Sequence, residues 1–254
     1  MNNNSISKTQ VFLTLIIIGA IVWLVLEGRN NIPDQPSPTE TAVIPAATPW
    51  ASVEVEKKLI NESNQYYTID AAYPVTKDER ITVQLKGFVE EQIAAFKDDT
   101  SWVTDPSIES ASEGSLSLDI NYREDRSTHA DTYIFSIVTY TGGAHGLQVT
   151  RTFAFDEAGK AIGVTDLFTN GEAGLKTVAT FVQKEITKKN ISDASWIAEG
   201  AAASAENYQT FVISDTGVTF VFDPYQVAPY AAGTQNILVP LSVFKGIANP
   251  AIFK

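Results

Sequence analysis

Residues 140–146, Tyr140-Thr141-Gly142-Gly143-Ala144-His145-Gly146, form a glycine-rich connector between two segments with the alternation of β-strands. Three glycines in five positions predict a backbone that adopts positive φ or is closely approached by another segment. The flanking residues 133–140 and 149–155 are rich in β-branched and aromatic side chains at a period of two, which predicts a β-hairpin. The loop exceeds the tightest two-residue turns and can present a side chain, so Gly142, Gly143 and His145 are candidate binding residues. A purely structural turn is the alternative.

A second candidate surface lies in residues 223–233, Asp-Pro-Tyr-Gln-Val-Ala-Pro-Tyr-Ala-Ala-Gly. Prolines stiffen this segment, and tyrosines bury a large area at a low entropic cost. Tyr225, Pro229 and Tyr230 are therefore candidate contact residues. Inward packing of the tyrosines is an equally good interpretation of the sequence.

The amino-terminal residues predict a membrane anchor. Residues 1–10 are polar with the single charge of Lys8, and an apolar run follows. We interpret residues 11–27 as an uncleaved transmembrane signal anchor, because no Ala-x-Ala cleavage pattern follows them. Residues 1–10 would form a short cytoplasmic tail, and residues 28–52 a proline-rich linker. The expected location is the cell membrane, single-pass, with the carboxy-terminal part extracytoplasmic.

The remaining sequence predicts an α+β fold with antiparallel sheets, helices packed on one side and two intimately joined subdomains, 53–110 and 111–254. Two helices are expected from apolar stripes, with capping boxes at Thr76/Glu79 and Thr169/Glu172. A third helix is expected within 192–206, and Tyr73-Pro74 is expected to end a strand. The stripe residues are Ile81, Leu85, Phe88, Val89, Ile93 and Phe96 in the first helix, and Leu175, Val178, Ala179, Val182 and Ile186 in the second.

Composition excludes several kinds of function. The formal charge of −12 argues against nucleic-acid binding, and the lack of cysteine removes thiol catalysis and cysteine-ligated zinc. His129 and His145 are the only histidines, so we expect no metal and no cofactor. Asp215-Thr216-Gly217 lies between two alternating strands and is better explained as a hairpin turn than as an aspartic-protease motif. A glycosidase pair among Asp119, Asp125, Asp131 and Asp156 stays open.

Three motifs together resemble the RsiV-like extracytoplasmic domain of bacteria. They are Tyr140–Gly146, Val164–Phe168 and Phe222–Gly233. Residues 53–96 are similar to the small domain that accompanies it and also precedes the catalytic domain of PdaC-type peptidoglycan deacetylases. The resemblance implies an envelope ectodomain that, in membrane anti-sigma factors, is a receptor for lysozyme. We expect no full anti-sigma role, because residues 1–10 are too short to bind a sigma factor, and the sequence shows no deacetylase domain after the module.

Two functions follow from these observations. The favoured one is a non-catalytic envelope module that uses Gly142, Gly143, His145, Tyr225, Pro229 and Tyr230 to bind lysozyme, another basic protein or peptidoglycan. It requires the two loops to lie side by side. The alternative is an envelope hydrolase with His145 as general base, which requires an orienting carboxylate within hydrogen-bond reach.

Overall fold

The computed structural model describes residues 56–104 and 116–253. This part of the chain is α+β and contains three α-helices, α1 (Glu79–Asp99), α2 (Glu172–Lys189) and α3 (Ala194–Gly200). Its strands are β1 (Glu56–Ser63), β2 (Tyr67–Val75), β3 (Leu116–Arg126), β4 (Asp131–Tyr140), β5 (Leu147–Phe155), β6 (Ala161–Ile162), β7 (Phe211–Ser214), β8 (Gly217–Phe222) and β9 (Gln235–Pro240).

Six strands form one sheet in the order β1 to β6, and β7, β8 and β9 form a second, antiparallel sheet. Neighbours in the larger sheet are antiparallel except β2 and β3, which run parallel. The prediction of purely antiparallel sheets is therefore wrong for this pair. The chain passes through α1 between β2 and β3, and such a crossover returns a strand parallel to its predecessor.

Helix α1 covers one face of the six-stranded sheet with the predicted stripe. Ile81, Leu85, Val89 and Ile93 are buried in a core shared with strand residues such as Phe135. The predicted capping box is wrong, because Asp78 is the N-cap and accepts a hydrogen bond from the Arg80 amide. Thr76 instead donates its hydroxyl to the Asp78 carbonyl at 2.7 Å.

The second core lies between α2, α3 and the three-stranded sheet. The predicted stripe of α2 is buried there in full. The capping box at Thr169 and Glu172 is wrong, because the helix begins after Gly171, whose φ is +52° and which has no side chain to cap with. Thr169 hydrogen-bonds the Ala248 carbonyl instead, at 2.8 Å. The third helix is shorter than the predicted segment.

Pro74 lies inside β2 and does not end it. It is paired with Lys57 of β1, while the ladder to β3 reaches only Ala71. A proline is tolerated here because β2 has one partner strand at this level, so the missing N–H removes no bond on the other side.

The described residues belong to one compact unit. The predicted tail, anchor and linker at 1–52, and the predicted subdomain boundary near 110, fall outside the described residues. Within 56–104 and 116–253, no helix is long and apolar enough to cross a membrane.

Candidate functional site

The two candidate loops meet in space. The imidazole of His145 stacks on the ring of Tyr230, with 4.0 Å between ring centroids and 19° between planes. The Tyr230 hydroxyl donates to the Gly146 carbonyl at 3.1 Å. The Tyr225 ring lies 5.6 Å from that of Tyr230. We call His145, Tyr225 and Tyr230 the aromatic cluster.

The hairpin between β4 and β5 forms as predicted, and its glycines set the path of the loop. Gly142 and Gly143 have φ of +97° and +112°, and a Cβ on either would meet no atom within 4 Å. Glycine is thus required by backbone conformation and not by space. The Tyr140 hydroxyl donates to the Gly143 carbonyl at 2.9 Å, which closes the loop on the end of its own strand.

Asp223 fastens the second loop to β5. Its carboxylate accepts hydrogen bonds from the Thr150 amide at 2.8 Å and from Arg151 Nη1 at 2.9 Å. The side chain is only 15% exposed. Burial raises the pKa of Asp223, and the bonds from Thr150 and Arg151 oppose that rise. The connection therefore joins the end of β8 to the strand that follows the His145 loop.

Helix α3 also contacts this loop. Trp196 Nε1 donates to the Tyr225 carbonyl at 3.0 Å, and Gln226 Nε2 donates to the Gly200 carbonyl at 3.1 Å. A Cβ on Gly200 would lie 1.7 Å from the Gln226 carbonyl oxygen, so only glycine permits this approach. Tyr225 has φ of +71°, a conformation that costs free energy for a residue with a side chain. The surrounding contacts hold it there.

The predicted residues differ in what they present to solvent. His145 and Pro229 are exposed, Tyr225 is 41% exposed, and Tyr230 is half-buried between them. The interpretation with both tyrosines packed inward is wrong for Tyr225, because Val227 and Ala228 are the residues of that loop that enter the core. Exposed rings on a fixed backbone can bury a large area at a small entropic cost when a ligand arrives.

The hydrolase hypothesis requires a carboxylate beside His145. Nδ1 of His145 instead lies 2.9 Å from the Gly146 carbonyl oxygen, and the hydrogen bonds found in residues 56–104 and 116–253 include none between this ring and a carboxylate. In the same residues, no three His, Cys, Asp or Glu side chains group together in a way that could hold a metal ion. Asp215 lies in the β7–β8 hairpin turn, as predicted, and accepts from the amide and hydroxyl of Thr128 at 2.8 and 2.7 Å.

Sequence analysis missed three residues that position the cluster, namely Trp196, Gly200 and Asp223. Asp223 carried a local signal, since a carboxylate between a strand and a proline often satisfies nearby amides. Trp196 and Gly200 carried none, because their partners lie in a distant segment.

The sequence of this chain is similar to one protein family and to several known proteins. Residues 165–242, which include Tyr225 and Tyr230, match the family described as protein of unknown function (DUF3298). The chain is 29% identical over 203 residues to the peptidoglycan-N-acetylmuramic acid deacetylase PdaC of Bacillus subtilis, covering 78% of this chain and 42% of that protein. It is 33% identical over 110 residues to the immunogenic protein MPT64 of Mycobacterium tuberculosis, covering 43% of this chain and 48% of that protein. The chain thus spans less than half the length of these relatives.

Two solved structures share the fold. A DUF3298 family protein from Pseudomonas aeruginosa PAO1 is 16% identical with a TM-score of 0.52, and covers 79% of this chain and 97% of that one. A DUF3298 family member from Bacteroides fragilis NCTC 9343 is 20% identical with a TM-score of 0.53, and covers 79% and 96%. At 16% and 20% identity, these likenesses concern the α+β fold alone.

Proposed function

We propose that the chain is a non-catalytic, membrane-anchored, extracytoplasmic module of the RsiV-like kind that binds a cell-envelope ligand through the aromatic cluster. The ligand is a cell-wall glycan or a basic protein such as lysozyme. The observation that carries the proposal is the stack of His145 on Tyr230, which joins the two loops selected from the sequence into one surface.

Physical chemistry favours binding over structure as the role of this surface. Tyrosine is enriched among the residues that dominate binding energy, because its ring is large and has few rotatable bonds. Tyr225 stays partly exposed at a strained backbone angle while three contacts from α3 and β5 hold its loop. Strain of this sort persists where the surrounding structure over-determines it, commonly at ligand clamps.

The net charge of the chain and the name of one sequence relative suggest two kinds of ligand. The formal charge of −12 would speed encounter with a basic protein. PdaC, whose sequence is similar over 203 residues, is named as a peptidoglycan deacetylase. This name is the reason for including a cell-wall glycan as a ligand.

The test is calorimetric titration of the full-length chain in detergent with lysozyme and, separately, with soluble peptidoglycan fragments. Tyr230→Ala should weaken saturable binding by about 30-fold, the effect of losing a residue worth roughly 2 kcal/mol at an interface centre. Trp102→Ala is the matched control, because it removes a 38% exposed aromatic ring outside the cluster. Equal effects of the two substitutions, or no binding of either ligand, would refute the proposal. Hydrolysis of the fragments would favour the His145 hydrolase instead.

A further inference from the structure

The face of the six-stranded sheet that lies opposite α1 carries an ordered row of side chains. Asn61 is opposite Asp70, Asp70 opposite Asp119, Asp119 opposite Val138, and Val138 opposite Gln148. Directly paired residues share a face, and side chains alternate along a strand. The intervening residues, which include Ile69, Leu118 and Ile137, are buried against α1. The row therefore crosses β1 to β5 on the other face; we call it the cross-strand row.

A shallow cavity of about 150 Å³ opens over the first three strands of this row. Its walls include the side chains of Lys57, Leu59, Asn61, Asp70, Asp119 and Asn121. Two amides hold the two carboxylates, since Asn61 Nδ2 donates to Asp70 at 2.5 Å and Asn121 Nδ2 donates to Asp119 at 2.7 Å. Lys57 lies 3.3 Å from the Asn121 side-chain oxygen. These hydrogen bonds connect the polar groups that line the cavity.

The cavity retains unused hydrogen-bond capacity. A carboxylate has about four acceptor positions, and each of these two accepts one amide bond from its asparagine. Among the described residues, neither Asp70 nor Asp119 is in an ion pair with Lys or Arg. An occupant must therefore be rich in hydrogen-bond donors, and an anionic polymer would be repelled.

Apolar patches lie between these polar groups. Leu59 is 63% exposed on β1 and Val138 is 37% exposed on β4. A sugar ring has the matching chemistry, because its hydroxyls donate at the edges and its C–H groups form an apolar face. Strands lie about 4.8 Å apart, so the row from β1 to β5 extends about 19 Å, longer than one ring.

The row leads to the aromatic cluster. Its last member, Gln148, is two residues beyond Gly146, whose carbonyl accepts the Tyr230 hydroxyl. Gln148 also donates to Ser136 at 3.1 Å, so it is held on the same face.

We propose that the exposed part of this sheet face binds an uncharged glycan chain along the cross-strand row, with one end of the glycan on the aromatic cluster. This inference rests on the proposed function and selects the glycan as its ligand. The carboxylates and amides bind hydroxyl groups, and the exposed leucine and valine contact ring faces.

The test titrates the full-length chain with soluble, uncharged β-1,4-linked N-acetylglucosamine oligomers, and separately with lysozyme. Asp119→Ala combined with Asn121→Ala should weaken glycan binding at least about tenfold, through loss of hydrogen bonds to a charged acceptor and an amide. Glu90→Ala, on the exposed face of α1 across the sheet, should leave it unchanged.

The outcomes separate this inference from the proposed function. Glycan binding that Tyr230→Ala weakens but the double variant does not would overturn the inference and leave the proposed function standing. Lysozyme binding without glycan binding would do the same. Binding of neither, together with no binding of the peptidoglycan fragments, would overturn both. Should the double variant fail to fold, side-chain amide resonances of Asn61, Asn121 and Gln148 in the unsubstituted chain replace it. Their shift on glycan addition supports the inference, and unchanged resonances at saturation overturn it.

Discussion

Replacing Asp223 tests whether a buried carboxylate holds the tyrosine loop on β5. Asp223→Ala removes hydrogen bonds of 2.8 and 2.9 Å to Thr150 and Arg151. Bonds to a charged group contribute about 1.5–3 kcal/mol each, but the cost of burying the carboxylate offsets part of that gain. We expect the free energy of unfolding to fall by about 2 kcal/mol, because the Thr150 amide loses its partner and Arg151, 40% exposed, regains water.

Asp223→Asn is the matched control, since its amide oxygen can still accept from Thr150. Its loss should be less than half that of the alanine variant. The pH dependence provides a second readout. Burial raises the pKa of Asp223, so the folded state binds its proton more tightly than the unfolded state does. The contribution of this group to stability therefore falls as pH rises from the ordinary carboxyl pKa through the raised one, and Asp223→Asn should lose this slope.

Urea denaturation followed by tryptophan fluorescence measures both effects. With a slope of about 2 kcal/mol per molar urea, the alanine variant should unfold at about 1 M less urea. Equal midpoints for the wild type and the alanine variant, or an asparagine variant as unstable as alanine, would refute the role assigned to the Thr150 and Arg151 bonds.

Three further tests concern other parts of the fold. Gly142→Ala should lower the free energy of unfolding by about 1–2 kcal/mol, because the φ of Gly142 is +97°. Gly87→Ala is the control: this residue lies on the exposed side of α1 with free space around it, so the substitution should raise the free energy of unfolding by roughly 1 kcal/mol. Equal urea midpoints for the two variants would contradict this prediction. Burial raises the pKa of Asp125, the charge of Asp215 adds to the rise and Arg123 opposes it. Because the charged form of Asp125 is then unfavourable in the folded state, Asp125→Asn should increase the melting temperature more at about pH 7 than at about pH 4. An equal increase at both pH values would contradict this cause. Leu85→Ala, in the α1 core, should cost about 2–5 kcal/mol in urea denaturation, and a loss under about 1 kcal/mol would place this residue outside the core.

Local signals were sufficient for the hairpin and the helix stripes, but not for the helix starts. The α1 stripe is a period of three and four residues, and burial of that face follows from the spacing alone. Its N-cap did not follow, because Thr76 and Asp78 both offer side-chain oxygens within one turn. In the structure, the Asp78 carboxylate accepts the bond from the Arg80 amide and is the N-cap. The N-cap of α2 is Gly171, and the hydroxyl of Thr169 donates instead to the Ala248 carbonyl in a distant segment.

The sequence by itself determined which segments are strands and helices, which faces are apolar and which two loops are suited to present side chains. These properties are encoded within a few residues, by periodicity, glycine and proline. Only the tertiary structure decided that β2 and β3 run parallel, that Asp223 bonds to β5 and that His145 stacks on Tyr230. Each of these joins residues far apart along the chain, so it depends on the tertiary arrangement and not on a local pattern.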